Sequence, residues 1–243
     1  MNKFDEKFLD LAIAHNMFSC KKNLQFFLNY IWGKNVLKNK KVLDIGGGRG
    51  LLSFSAASCG ANVTCLEPEL DGSSNQMKDK FNDFHSSFQN VFGSVQFSSV
   101  TFQDFAKDDD YDLVVMANSI NHLDETATIS LLKSQESRNI YLDLFGKMNN
   151  LLNKNGSLII TDCSCYNIFN IFNLRNPFTP TIEWFKHQTP YTWLSLLESS
   201  GFKFNSLQWT TPNRLGELGS IFFSNLFFSY LTTSHFRLEV SKL

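Results

Sequence analysis

An apolar run that ends in an aspartate and breaks into four glycines limits this chain more than any other feature. Residues 41 to 50 read KVLDIGGGRG, with Gly46, Gly47, Gly48 and Gly50 crowded behind Asp44. Ordering glycine costs more backbone entropy than ordering any other residue, so four in five positions imply that something must approach the main chain closely. The next stretch, LLSFSAASCG, is compact and rich in small residues, and Gly60 stops it as glycine stops a helix. A strand that runs through a glycine turn into a helix presents backbone N–H groups and the positive helix end to a ligand. In an open parallel sheet such a turn lies at the carboxyl edge, where ligands collect.

The remaining pattern supplies that sheet. Phe4, Phe8, Leu11 and Ala12, then Leu24, Phe27, Leu28 and Ile31, fall at helical spacing and predict two helices before the first strand. After the glycine turn, NVTCLEPE predicts a second strand, residues 71 to 90 a polar helix, VQFSSVTFQDF a third strand and YDLVVMANS a fourth. A long helical stretch from Thr126 to Leu152, broken near Ser137, leads to the turn signal NKNG and a fifth strand, SLIITDCS. This alternation predicts an α/β fold, a parallel sheet wrapped by helices on both faces. Beyond Cys165 the pattern changes. Residues 166 to 190 carry three of the five prolines and read as irregular, a helix at 191 to 200 ends at Gly201, and two strands, FKFNSLQWTT and SHFRLEVSKL, close the chain as an antiparallel edge. No repeat or long linker divides the sequence, which reads as one domain.

Composition excludes several classes. Twenty-two basic and twenty-three acidic side chains give a net charge of -1, without the basic excess that binding to nucleic-acid phosphates calls for. The acidic Asp5, Glu6 and Asp10 interrupt the N-terminal apolar pattern, so it is not a signal peptide, and no run is long enough for a membrane span. The five cysteines are odd in number and form no CxxC pair, so they read as reduced thiols of a cytoplasmic protein. No cluster of His, Cys and Asp suggests a metal. The abundance of Asn, Lys and Phe reads as genome composition.

The glycine spacing is D-x-G-x-G-x-G, with Leu51 where a dinucleotide site would place its third glycine, which argues against a nicotinamide oxidoreductase. VLDIGGGRG resembles the first motif of the class I S-adenosylmethionine-dependent methyltransferases. The resemblance continues in order through Glu67, Asp104, YDLVVMANSINHL and LLNKNGSLIITD, over residues 40 to 165. It implies a Rossmann-like, seven-stranded sheet, mostly parallel with an antiparallel edge strand. Residues 1–35 then form a helical lid, 36–165 the cofactor core and 166–243 the substrate side. It also implies S-adenosylmethionine as cofactor. Asp44 would support the ammonium and the loop of Gly46, Gly47, Gly48 and Gly50 would meet the amino-acid head. Glu67, followed by Pro68, would accept both ribose hydroxyls, with Glu69 as a competitor for that role. Asp104 would receive the adenine amino group, with a capping aspartate as the alternative, and Phe105 would wall the adenine. Ala117 and Asn118 would lie under the methionine portion.

The acceptor is read as a small molecule, methylated on a hydroxyl, of a sugar or a secondary metabolite. A hydroxyl acceptor benefits from a general base. His122 follows the fourth strand directly, and a packing histidine is its alternative. His187 is a second base, or else the partner of Glu183 in a surface ion pair four residues apart. Asp162 ends the fifth strand and either orients a substrate hydroxyl or caps the next segment; Asn121, Tyr166 and Trp184 are candidate pocket walls. In IFFSNLFFSYLTT, Phe222, Phe223, Leu226, Phe227 and Tyr230 predict a core-facing helix or a homodimer face rather than a membrane-surface helix. The alternatives are an isoprenoid or lipid methyltransferase and a non-catalytic partner subunit. A base-modifying enzyme is disfavoured, because the fourth strand ends in ANSIN rather than an N-P-P-Y-type signature.

Overall fold

The computed structural model describes residues 4–68, 77–106, 110–210 and 224–243. Its seven strands order as β3-β2-β1-β4-β5-β7-β6 in one sheet, the Rossmann-like, seven-stranded sheet that the family resemblance implies. Two compact units make up the chain, Met1–Met116 and Ala117–Leu243.

In the first unit, helices α1 (Glu6–Ala14) and α2 (Lys21–Trp32) precede β1 (Lys41–Ile45), α3 (Leu51–Ser58), β2 (Asn62–Leu66), α4 (Met77–Phe92), β3 (Gln96–Ser98) and β4 (Tyr111–Ala117). Asp5 caps α1, its carboxylate accepting the Lys7 N–H at 2.8 Å. α2 buries Leu24, Leu28, Ile31 and Trp32 on one face, and the Trp32 Nε1–H donates to Ser55 Oγ at 2.9 Å, so the buried indole keeps a partner. β1 lies parallel to both β2 and β4, and β2 parallel to β3. The phenylalanines have a structural use beyond composition. Phe54 of α3 meets Phe81, Phe84 and Phe88 of α4 at ring separations of 4.7, 4.6 and 4.9 Å, all four buried. Each such ring removed from water contributes about 1.5–3 kcal/mol, and this cluster fixes α3, the helix that the glycine loop opens.

The third strand is shorter than its sequence suggests. It ends at Ser98, and Phe102–Asp104 form a turn closed by the Asp104 and Phe105 N–H groups donating to the Thr101 carbonyl at 3.2 and 3.0 Å.

The second unit holds α5 (Glu125–Ser130), α6 (Gln135–Leu151), β5 (Leu152–Cys163), α7 (Ile168–Ile171), α8 (Pro190–Ser199), β6 (Phe202–Trp209), α9 (Leu226–Leu231) and β7 (His235–Lys242). The break in the long helical stretch comes before Ser137, because Ser134 caps α6 by accepting the Ser137 N–H. NKNG does not separate helix from strand. β5 starts at Leu152 directly after α6, and Asn155 takes a left-handed φ of 63° inside it. Thr189 and Pro190 start α8 as the N-cap and first residue of a helix should. β7 runs antiparallel to β5 and to β6, so the reversed strand lies one place in from the β6 edge. Leu226 and Phe227 of α9 are 43% and 63% exposed, so this part of the segment does not face the core; Phe222 and Phe223 lie outside the described residues. Among the described residues no helix is long and apolar enough to cross a membrane.

Candidate active site

In the first unit the glycine loop hangs from the end of β2. The N–H groups of Gly46 and Gly47 both donate to the Leu66 carbonyl, at 2.8 and 3.0 Å. The Gly48 N–H donates to Glu67 Oε2 at 2.7 Å, so the carboxylate that ends the second strand grips the middle of the loop. Glu67 is buried, and its own N–H donates to Ser98 O of β3 at 3.0 Å. Pro68 follows half-buried.

Asp44 sits one residue before the end of β1, in register with Cys65 of β2 and Val115 of β4. It is buried, and Ser53 Oγ of α3 donates to its Oδ2 at 2.7 Å. Burial lifts its carboxyl from 3.8 to about 6, against the Ser53 hydrogen bonds that lower it and with a smaller push from the Glu67 charge. Gly47 is needed because a Cβ there would collide with Cys65 Sγ and lie 3.0 Å from Asp44 Oδ2. Gly48 differs: its φ is +55°, and a Cβ would meet no atom of the described residues within 4 Å. One glycine admits close packing, and the other faces space that is clear of the described residues.

Asp104 lies in the turn after β3 rather than at a strand end. It is exposed, and Thr101 Oγ1 donates to its Oδ2 at 2.7 Å while accepting its N–H at 3.2 Å. Phe105, beside it, is buried. Glu69 lies outside the described residues.

The second unit gathers four polar side chains from four segments. Asn118, just past β4, is left-handed at φ 54°; its N–H donates to Thr161 O at 2.7 Å, and its Oδ1 lies 3.1 Å from His235 Nε2 of β7. Ala117 precedes it as the half-buried end of β4. Asp162 is fully buried near the end of β5. Its Oδ1 accepts the Cys163 N–H at 2.8 Å and lies 3.1 Å from His187 Nδ1. His187 therefore pairs with Asp162 and not with Glu183, because residues 184–186 form a single 3₁₀ turn rather than a longer helix. Glu183 instead pairs with Lys186 at 2.9 Å.

His122 faces a different setting. Its Nδ1 lies 2.6 Å from Glu125 Oε1, and Glu125 in turn pairs with Lys186 at 3.0 Å, which holds the glutamate below its usual range. The His122 side chain is 57% exposed against 13% for His187. A base that must be shielded from water is better served by the second. Among the candidate walls, Asn121 is buried, Trp184 half-buried, and Tyr166 exposed with its ring 4.9 Å from that of Tyr230.

Two residues escaped the sequence reading. His235 starts β7 opposite Cys163, and only the β5–β7 register brings it beside Asn118. Burial draws its imidazole down to about 4; Asp162 opposes this and His187 adds to it. Arg49 is the one charged residue among the glycines, a signal visible in the sequence and not used.

Comparison with known proteins identifies the family. The methyltransferase domain family matches residues 13–207. Among curated proteins none matches closely enough to count as a relative. A Listeria monocytogenes structure assigned as an S-adenosylmethionine-dependent methyltransferase is similar at a TM-score of 0.60 and 17% identity, covering 91% of this chain and 98% of its own. Magnesium protoporphyrin IX methyltransferase from Synechocystis PCC 6803, with S-adenosylmethionine bound, is similar at 0.55 and 14%, covering 100% of this chain and 87% of its own. A (4+2)-cyclase shares the architecture at 0.56 and 14%, covering 89% of this chain and 79% of its own. At these identities the likeness shows the fold alone, whereas the family match takes in well over half of the sequence. The chain belongs to the methyltransferase domain family, as a class I, Rossmann-like, S-adenosylmethionine-dependent member.

Proposed function

We propose that the protein transfers a methyl group from S-adenosylmethionine to a hydroxyl of a small molecule, with His187 as general base and Asp162 holding it. The observation that carries this reading is the pairing of a secluded imidazole with a fully buried carboxylate at 3.1 Å. Since an architecture like this one also houses a cyclase, the reading rests on these residues and not on the fold.

The first unit fits the cofactor. The clear space over Gly48 lets a ligand reach the loop, and Asp44 and Glu67 offer two buried carboxylates at the ends of neighbouring strands. In this reading Asp44 and the loop of Gly46, Gly47, Gly48 and Gly50 hold the amino-acid head, Glu67 beside Pro68 holds the ribose hydroxyls, and Asp104 with Phe105 takes the adenine. Ala117 and Asn118 serve the methionine portion. When bound, S-adenosylmethionine supplies a methyl group already activated by its sulfonium.

In this reading Asp162 accepts from Nδ1–H of His187, which leaves the lone pair on Nε2. That atom takes the acceptor's hydroxyl proton as the oxygen turns nucleophilic, and passes it to solvent afterwards. Alignment of the oxygen and exclusion of water supply much of the remaining rate. His122, exposed and tied to Glu125, is assigned a surface role.

A second reading, an isoprenoid or lipid acceptor, draws on the exposed Ile171, Phe172, Leu174 and Phe178 of the irregular segment. Calorimetry with S-adenosylmethionine and S-adenosylhomocysteine on the native protein and Glu67→Ala tests the cofactor site. Tight binding that the variant loses supports it, and no binding to the native protein rejects it. A transfer screen over sugars, phenols and isoprenoid alcohols then separates the two acceptor classes.

A further inference from the structure

The glycine loop carries one long side chain, and it reaches to the end of the first helix. Arg49 Nη2 donates to the His15 carbonyl at 2.9 Å and Nη1 to the Asn16 carbonyl at 3.2 Å. Carbonyls at a helix C-terminus have no intrahelical N–H to accept, and the helix dipole favours a cation there. The end of α1 is shaped to offer them. Asn16 is left-handed at φ 53°, the Met17 N–H returns to Ala12 O at 2.9 Å, and the Asn16 N–H returns to Ile13 O at 3.0 Å. These two bonds close a Schellman turn, which satisfies the carbonyls of Ala12 and Ile13 and leaves those of His15 and Asn16 to the arginine.

The helix is firmly seated on its other side. The His15 ring lies 3.0 Å from Asp83 and edge-on to Phe84, both on α4, and Phe8 meets Phe88 at 6.3 Å. On the loop side, Arg49 stands between Gly48, whose N–H is held by Glu67, and Gly50, which opens α3. The Arg49 Nε is itself buried. A guanidinium fixed at both ends cannot follow a shift of the loop without pulling on the end of α1.

We infer that Arg49 is a positioning residue that couples helix α1 to the cofactor loop, so that binding of S-adenosylmethionine orders α1 and a docked α1 strengthens binding. This rests on the reading that the glycine loop holds the cofactor. The coupling is reciprocal: the factor by which the cofactor favours docked α1 equals the factor by which docked α1 favours the cofactor. Lysine keeps the charge but has no fork to span two carbonyls.

Amide hydrogen exchange with and without saturating S-adenosylmethionine, paired with calorimetry, tests the coupling on the full chain. In the native protein the cofactor slows exchange in residues 41–58 and also in residues 9–17. In Arg49→Lys the affinity falls about tenfold, and at saturation residues 41–58 remain protected while 9–17 exchange as they do without cofactor. Native residues 9–17 that ignore bound cofactor overturn the inference, as does an Arg49→Lys protein with native affinity and native protection of α1. If Arg49→Lys fails to fold, Met17→Pro reads the link from the helix side. It deletes the N–H that closes the turn, and a similar loss of affinity is expected, whereas full affinity overturns the coupling. Absence of any binding to the native protein removes the cofactor assignment itself, and the inference with it.

Discussion

His187 Nδ1 lies 3.1 Å from Asp162 Oδ1, the oxygen that also accepts the Cys163 N–H at 2.8 Å. A carboxylate fixed by its neighbouring main chain cannot turn away from the imidazole, so the ring is held in one tautomer with Nε2 as its basic atom. The second carboxylate oxygen is buried with no hydrogen-bond partner among the described residues, and the His187 contact is the one side-chain restraint on this group.

That relationship sets the first prediction. His187→Ala should lower turnover about 10²- to 10⁴-fold, the range for loss of a general base, with cofactor affinity unchanged by calorimetry. Asp162→Asn should also lower turnover, because an amide N–H can hold the ring in the wrong tautomer. His122→Ala should stay near native. A native rate in His187→Ala, measured with any acceptor the transfer screen returns, would assign the base elsewhere.

Asp44 gives a prediction about pH. Its carboxyl is lifted from 3.8 to about 6, chiefly by burial. A raised carboxyl binds its proton more tightly in the folded state than in the unfolded one. The cost of burying the charge is therefore absent below about pH 4, grows as pH rises towards 6 and is complete above it, at about 3 kcal/mol. Asp44→Asn, with Ser53 still able to donate, should melt higher than the native protein at pH 7.5, and the gap should close by pH 4. The same variant should lose S-adenosylmethionine affinity. A melting difference independent of pH would contradict the burial argument.

His235 has the opposite sign. Burial draws it from 6.5 to about 4, so the folded protein refuses a proton that the unfolded chain accepts. Stability from this group is complete above pH 6.5 and is lost as pH falls towards 4. The denaturant midpoint of the native protein should drop more steeply between pH 7 and pH 4.5 than that of His235→Gln. Parallel curves for the two proteins would refute it. Each of these two effects is read as native against variant, so their overlapping windows do not cancel in the measurement.

The two central glycines should separate folding from binding. Gly47→Ala drives a methyl into Cys65 Sγ and Asp44, and overpacking of this kind costs about 1–3 kcal/mol, visible as a lowered melting temperature. Gly48→Ala meets no atom of the described residues within 4 Å and carries the left-handed backbone penalty, about 1–2 kcal/mol. Its main effect is expected in calorimetry, as weakened S-adenosylmethionine binding. If Gly48→Ala binds like the native protein, the space over that residue is not where the cofactor approaches.

Much of the first unit was legible because its signals are local. The strand before the glycines, the small-residue helix after them and the acid closing β2 are each specified within a few residues of chain. Asp104 was legible as an acid but not in its setting, since Thr101 three residues earlier folds it into a turn. The break near Ser137 falls at residues 131–134, where Ser134 caps α6, a local competitor that periodicity does not weigh. The Glu183 and His187 spacing misled for a related reason: a four-residue spacing implies contact only where a helix continues, and a 3₁₀ turn interrupts it there.

By itself, then, the sequence determined the glycine loop, the two carboxylates that serve it and the family. These depend on residue type at short, fixed spacings, where backbone conformation is set by near neighbours. Tertiary structure alone decided which histidine meets a buried carboxylate. His187 reaches Asp162 across 25 residues and His235 reaches Asn118 across 117, and both contacts exist only because strand register and chain reversal place them side by side. The grip of Arg49 on the end of α1 spans 33 and 34 residues for the same reason. Hydrogen bonds of that kind are written in the packing of helices and strands, which no short stretch of chain contains.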